Sequence, residues 1–177
     1  MKIYGAQQGI PEGSAREKLN TAKEMIDHSI QDLRNISHSL NSEWVKKQGL
    51  SQAIIKHLEQ ITERDGMKFN VEVNGDDSLA PEQEVVVFRI VQEAVKNTLT
   101  HAQATEINFD ISYEHDIFRL EIIDNGIGFN ADLTNDSTGI GLTNMQERAR
   151  ILGGEMHFNT KPGEGTKIVL TINQSKA

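Results

Sequence analysis

The chain has 177 residues, with 18 Lys and Arg against 26 Asp and Glu, a formal net charge of −8 at pH 7. With 37% hydrophobic residues it can bury one core, and its length predicts a compact domain of about 100–150 residues plus an appendage. The acidic balance argues against a general nucleic-acid binder, the absence of cysteine excludes disulfides and Cys-ligated metals, and no apolar run approaches the roughly 18 residues of a membrane span.

The first dozen residues read as a loose terminus, after which Ser14 and Glu17 form a capping box for a first helix. Leu19, Ala22, Ile26, Ser29, Leu33, Ile36 and Leu40 then alternate steps of three and four, a heptad seam with charged flanks. Such a helix either lies on its own domain or forms half of a hairpin that dimerises. Trp44 to Gly49 reads as a connector, and Ser51 as the cap of a second helix carrying Ala53, Ile54, Leu58 and Ile61. Met67, Phe69, Val71 and Val73 alternate like a half-buried strand that stops at the turn residues Asn74-Gly75-Asp76-Asp77. Pro81, with Glu82 and Glu84 behind it, opens a helix that runs through Phe88, Val91, Val95 and Leu99 to about His101.

Two strands are predicted around Ile107–Ile111 and Phe118–Ile122, then a Gly-rich stretch over 126–141 and a helix from about Leu142 to Leu152. Two last strands, near Glu155–Thr160 and Thr166–Asn173, flank Pro162-Gly163-Glu164-Gly165. Helices and largely antiparallel strands in this order predict an α/β (α+β) fold, a two-layer sandwich. The expected domains are 1–45, a dimerisation helix, and 46–177.

Four segments point to chemistry. Glu93 and Asn97 are four apart and stack on one helical face, where a carboxylate and an amide oxygen can hold a hydrated Mg²⁺ or orient a water. Taken alone, they are better explained by a solvated face. Asp124-Asn125-Gly126-Ile127-Gly128 ends a strand pattern, and a carboxylate there can accept a hydrogen bond from an exocyclic amine such as adenine N6. A hairpin turn would explain Gly126 but not Gly128. Thr138-Gly139-Ile140-Gly141-Leu142 runs into a helix start, where free N–H groups and the dipole favour a phosphate. Gly163-Glu164-Gly165-Thr166 is by itself a plain hairpin turn.

Taken in order, the four resemble the N, G1, G2 and G3 boxes of the GHKL superfamily, the ATPases of gyrase, heat-shock chaperones, histidine kinases and mismatch repair. The resemblance covers roughly residues 50–173. Phe88-Arg89-Ile90-Val91-Gln92-Glu93-Ala94 and Thr138 to Ala149 are similar to bacterial sensor histidine kinases that pair with helix-turn-helix response regulators. That resemblance implies a Bergerat-type ATP site. In it Asp124 binds the adenine amine beside Gly126 and Gly128, and Asn97 ligates Mg²⁺. Glu93 polarises water or the phosphoacceptor, a catalytic role shared with Asn97. Gly139, Gly141 and Leu142 cradle phosphates, and Gly165 and Thr166 close the adenine side. His101 is either a phosphate or lid contact or a plain helix-end histidine, and Thr100 stands where many relatives carry Lys.

Leu33-Arg34-Asn35-Ile36-Ser37-His38-Ser39-Leu40 resembles the second helix of the dimerisation and phosphotransfer hairpin, whose phosphoacceptor on the first helix is a His followed by an acidic residue. Only His115-Asp116 has that dipeptide, and it falls between two strand patterns. The expectation is therefore a C-terminal fragment that transfers the ATP γ-phosphoryl group to a histidine outside this chain. Its implied partners are a response regulator and a second copy of the parent protein, with no nucleic acid and no membrane contact. Its implied location is cytoplasmic even where the parent is membrane-anchored. The competing readings are a non-catalytic ATP-binding or dimerisation module and a serine kinase of the anti-sigma-factor type.

Overall fold

The computed structural model describes residues 42–76, 78–130 and 140–174. The chain divides into two compact units, Met1–Glu43 and Trp44–Ala177. The expected first helix and its seam lie outside the described residues. Helix α1 spans Leu50–Asp65, β1 Lys68–Asn74, and α2 Pro81–Asn97, which passes into a π-helical turn over Thr98–Ala102. Strands β2 (Glu106–Glu114) and β3 (Ile117–Asp124), helix α3 (Ile140–Ile151), and strands β4 (Gly154–Thr160) and β5 (Thr166–Asn173) complete it. No helix among the described residues is long and apolar enough to cross a membrane.

The strands form one five-stranded sheet in the order β1-β2-β3-β5-β4, with β1 and β2 parallel and every other pair antiparallel. Because side chains alternate across a strand, the register decides which residues meet. Phe109, Ile122, Ile168 and Phe158 form one row, and Ile111, Leu120, Leu170 and Met156 the next. These rows face Ile54, Leu58, Val87, Ile90, Val91 and Met145 from the helices in a single core. The other face carries Asp110, Arg119, Glu121 and Lys167, so the described residues form the two layers the sequence predicts.

Three local expectations are corrected. Trp44–Gly49 is not a connector: residues 42–48 are helical, because fully buried Val45 and half-buried Trp44 pack onto the core. Ser51 does not cap α1, which starts one residue earlier behind Gly49. Its start is held instead by the buried Glu84 carboxylate of α2, which accepts the Leu50 N–H at 3.0 Å. A side chain 34 residues away thus satisfies a donor that a helix cannot satisfy itself. Third, α3 begins at Ile140 rather than at Leu142.

Glu84→Ala orphans that buried N–H and is expected to lower stability by about 1–3 kcal/mol. Urea unfolding reads this as a lower midpoint at constant slope; an unchanged midpoint would show that Leu50 has another acceptor.

On the outer face Lys167 Nζ lies 2.6 Å from Glu121 Oε2, and Arg119 Nε donates to Oε1 at 3.2 Å. The Lys167 ammonium first, and Arg119 after it, hold the Glu121 carboxyl below the usual carboxylate range against the opposing effect of burial. A depressed folded-state pKa means that this group adds stability above its unfolded value of about 4.3 and loses it as pH falls through that range. Glu121→Gln should therefore flatten the acid limb of a stability-against-pH curve by a small amount, since the group is close to solvent. An unaltered limb would refute the assignment.

Candidate functional site

One cavity of about 590 Å³ opens where the ends of α2 and β3 and the starts of β5 and α3 meet. That volume falls within the roughly 300–1,000 Å³ of small-molecule sites. Glu93 and Asn97, both half-buried, project into it from one face of α2, and exposed His101 follows on the π turn. Lys96 also lines it, its ammonium 3.4 Å from Glu93 Oε1.

Asp124 forms part of the opposite wall. It is the last residue of β3 and in phase with Phe118, Leu120 and Ile122, so the alternation that builds the core also aims this carboxylate at the helix layer. It is 8% exposed. The Gly126 N–H donates to its Oδ1 at 2.9 Å and the buried Thr98 hydroxyl to its Oδ2 at 3.3 Å. Both bonds hold the carboxylate in one orientation, and each oxygen keeps a further lone pair for a ligand donor.

The chain then leaves the sheet rather than turning back, so Asp124-Asn125-Gly126 is no hairpin. The Asn125 side chain accepts from the Thr105 and Glu106 N–H groups at 2.9 and 3.1 Å. The Ile127 N–H reaches Ala102 O at 2.8 Å, the Gly163 N–H reaches Ile127 O at 2.6 Å, and the Phe129 N–H reaches Thr160 Oγ1 at 3.0 Å. Gly128 sits at φ 58, and a Cβ there would overlap the Lys161 carbonyl and lie 2.7 Å from that of Gly165.

Of the sequence-predicted residues, Glu93, Asn97, His101, Asp124, Gly128, Gly141, Leu142 and Thr166 line this one cavity. Gly126 and Gly165 do not line it. They stand behind the wall, where a Cβ on Gly126 would overlap Ala102 and one on Gly165 would overlap the Asp124 carbonyl. Their part is backbone-on-backbone packing that sets the wall's position. Gly141 has a similar part on the other side, since a Cβ there would come within 2.5 Å of Glu93 Oε1 and 3.4 Å of Asn97 Nδ2. Gly139 lies outside the described residues.

The sequence reading missed Thr98, Lys96, Ile127, Phe129 and Ile168 as lining residues. Ile168 could have been found from its alternation with Thr166, and Ile127 and Phe129 from their place between and after the glycines. Nothing in the sequence distinguishes Thr98.

Among the described residues no group of three or more His, Cys, Asp or Glu side chains is placed to hold a metal by itself. Glu93 and Asn97 offer oxygen donors on one helical face, which suits a hard cation that keeps waters and takes its other ligands from phosphate.

Residues 82–176 match the family model described as histidine kinase-, DNA gyrase B- and HSP90-like ATPase. A signal transduction histidine-protein kinase/phosphatase DegS from Brevibacillus brevis is 32% identical over 173 residues, 97% of this chain and 44% of that relative. The chain thus spans less than half the length of this curated relative. The histidine kinase domain of the Erythrobacter litoralis EL346 blue-light activated histidine kinase superposes with a TM-score of 0.65 at 15% identity, covering 98% of this chain and 91% of that one. The Acinetobacter baumannii histidine kinase AdeS gives 0.62 at 15% identity over 97% and 93%. At such identities the two structures speak for the fold.

Proposed function

The chain belongs to the histidine kinase-, DNA gyrase B- and HSP90-like ATPase family, and from that premise we propose that it is the ATP-binding catalytic part of a two-component sensor histidine kinase. The observation that carries this reading is the convergence of Glu93, Asn97, Asp124, Gly141 and Thr166, from four distant segments, on one cavity. Its 32% identity to a histidine-protein kinase/phosphatase favours that branch of the family.

In this reading Asp124, oriented by Gly126 and Thr98, accepts the adenine amine, and Gly128, Ile127 and Thr166 form the wall beside the ring. Asn97 would hold Mg²⁺, which would supply charge neutralisation at the phosphates. A histidine outside residues 1–177 attacks the γ-phosphorus through an imidazole nitrogen, the N–P bond forms as the bond to the β-phosphate oxygen breaks, and ADP leaves. Glu93 accepts the imidazole proton. Most of the rate comes from positioning and charge neutralisation, as phosphoryl transfer requires. The partners are a response regulator, which receives the phosphoryl group, and a second copy joined through residues 1–45.

Calorimetric titration with ADP and a non-hydrolysable ATP analogue, with and without Mg²⁺, tests the site. Binding of the triphosphate that strengthens with Mg²⁺ supports the proposal. No binding at millimolar nucleotide would overturn it and leave a non-catalytic module as the better account.

A further inference from the structure

A ligand with several phosphates brings negative charge into a cavity that already holds the Glu93 and Asp124 carboxylates. Lys96 is the only Lys or Arg among its described lining residues. The segment Asn130-Ala131-Asp132-Leu133-Thr134-Asn135-Asp136-Ser137-Thr138-Gly139, which joins the Asp124 wall to α3, contains two Asp and no Lys or Arg, so its sequence adds no cation. The Lys96 ammonium rests 3.4 Å from Glu93 Oε1 with its side chain 69% exposed. Ion pairs this open to water are weak and exchange readily. Glu93 in turn packs against the first turn of α3 at Gly141, so Lys96 stands on the side of the cavity where a helix start faces it.

We propose that Lys96 is a phosphate-binding residue of this site, exchanging its pairing with Glu93 for one with the terminal phosphates of the bound nucleotide. This rests on the ATP-site reading above and assigns a role to a residue of the first segment, between Glu93 and Asn97, to which the resemblance gives none.

Calorimetry on the full chain with adenosine, ADP and a non-hydrolysable ATP analogue in Mg²⁺, for wild type, Lys96→Gln and Lys96→Arg, decides it. Lys96→Gln is expected to weaken triphosphate binding by about 10-fold or more, as for loss of a charge-assisted bond. ADP should weaken less and adenosine not at all. Lys96→Arg should restore triphosphate affinity to within a few-fold of wild type. Equal triphosphate affinity in Lys96→Gln and wild type would overturn the assignment while leaving the ATP site intact. An equal loss for adenosine would also overturn it, since the effect would then be structural. Failure of the wild type to bind any nucleotide would remove the ATP-site reading and this assignment with it.

Discussion

Asp124→Asn is expected to weaken adenine-nucleotide binding by roughly 10- to 100-fold while the fold survives, because a ligand hydrogen bond to a charged acceptor contributes about 1.5–3 kcal/mol. The two groups that orient Asp124 explain why the fold survives. The Gly126 N–H needs an acceptor, which the Asn carbonyl oxygen still provides. The Thr98 hydroxyl can turn and accept from the new NH₂ group, since a hydroxyl both donates and accepts. The ligand has no such freedom: an amine on the purine would meet an amide donor in place of a second carboxylate lone pair. Titration of the variant with ADP, beside a urea unfolding curve, separates the two effects. Retained affinity would mean that the adenine end of the site lies elsewhere.

Gly128→Ala should lower stability by about 2–4 kcal/mol, from left-handed backbone strain plus overpacking against fixed backbone. Gly163 provides the control. Its φ is 85, yet a Cβ there meets nothing within 4 Å, so Gly163→Ala carries the backbone strain alone. The excess loss in Gly128→Ala over Gly163→Ala, measured by urea unfolding, isolates the overlap with the Lys161 and Gly165 carbonyls. Nucleotide affinity should fall in the first variant and hold in the second. Equal losses would mean that the Lys161 loop yields freely.

What the sequence makes legible is local and periodic. The alternation of Phe118, Leu120 and Ile122 carries straight on to Asp124, so the alternation alone marks a polar residue in a core phase at a strand end. The pairing of Glu93 with Asn97 follows from helical spacing in the same way. Interactions between distant segments leave no such local trace. Ser51 looks like a cap because it sits where caps sit, but the acceptor for α1 comes from Glu84 on another helix. The parallel pairing of β1 with β2 places a strand at the sheet edge with no turn to announce it. The π turn at Thr98–Ala102 keeps an apparently continuous helix while shifting Thr98 under Asp124. Gly126 and Gly165 read as ligand-facing on the adenine side of the site, whereas here each makes room for another backbone.

The strand order also has a consequence for colloidal behaviour. Among the described residues β1 pairs only with β2 and β4 only with β5, so these two are the outer strands of the described sheet. A row of unpaired N–H and C=O groups is a template for another strand, and self-association along it is the usual hazard of an open sheet. Both outer strands carry ionisable side chains on exposed positions, Lys68 and Glu72 on β1 and Glu155 and His157 on β4. Charged side chains at such positions oppose the docking of a further strand, so the residues on the sheet's rim also bear on whether copies polymerise.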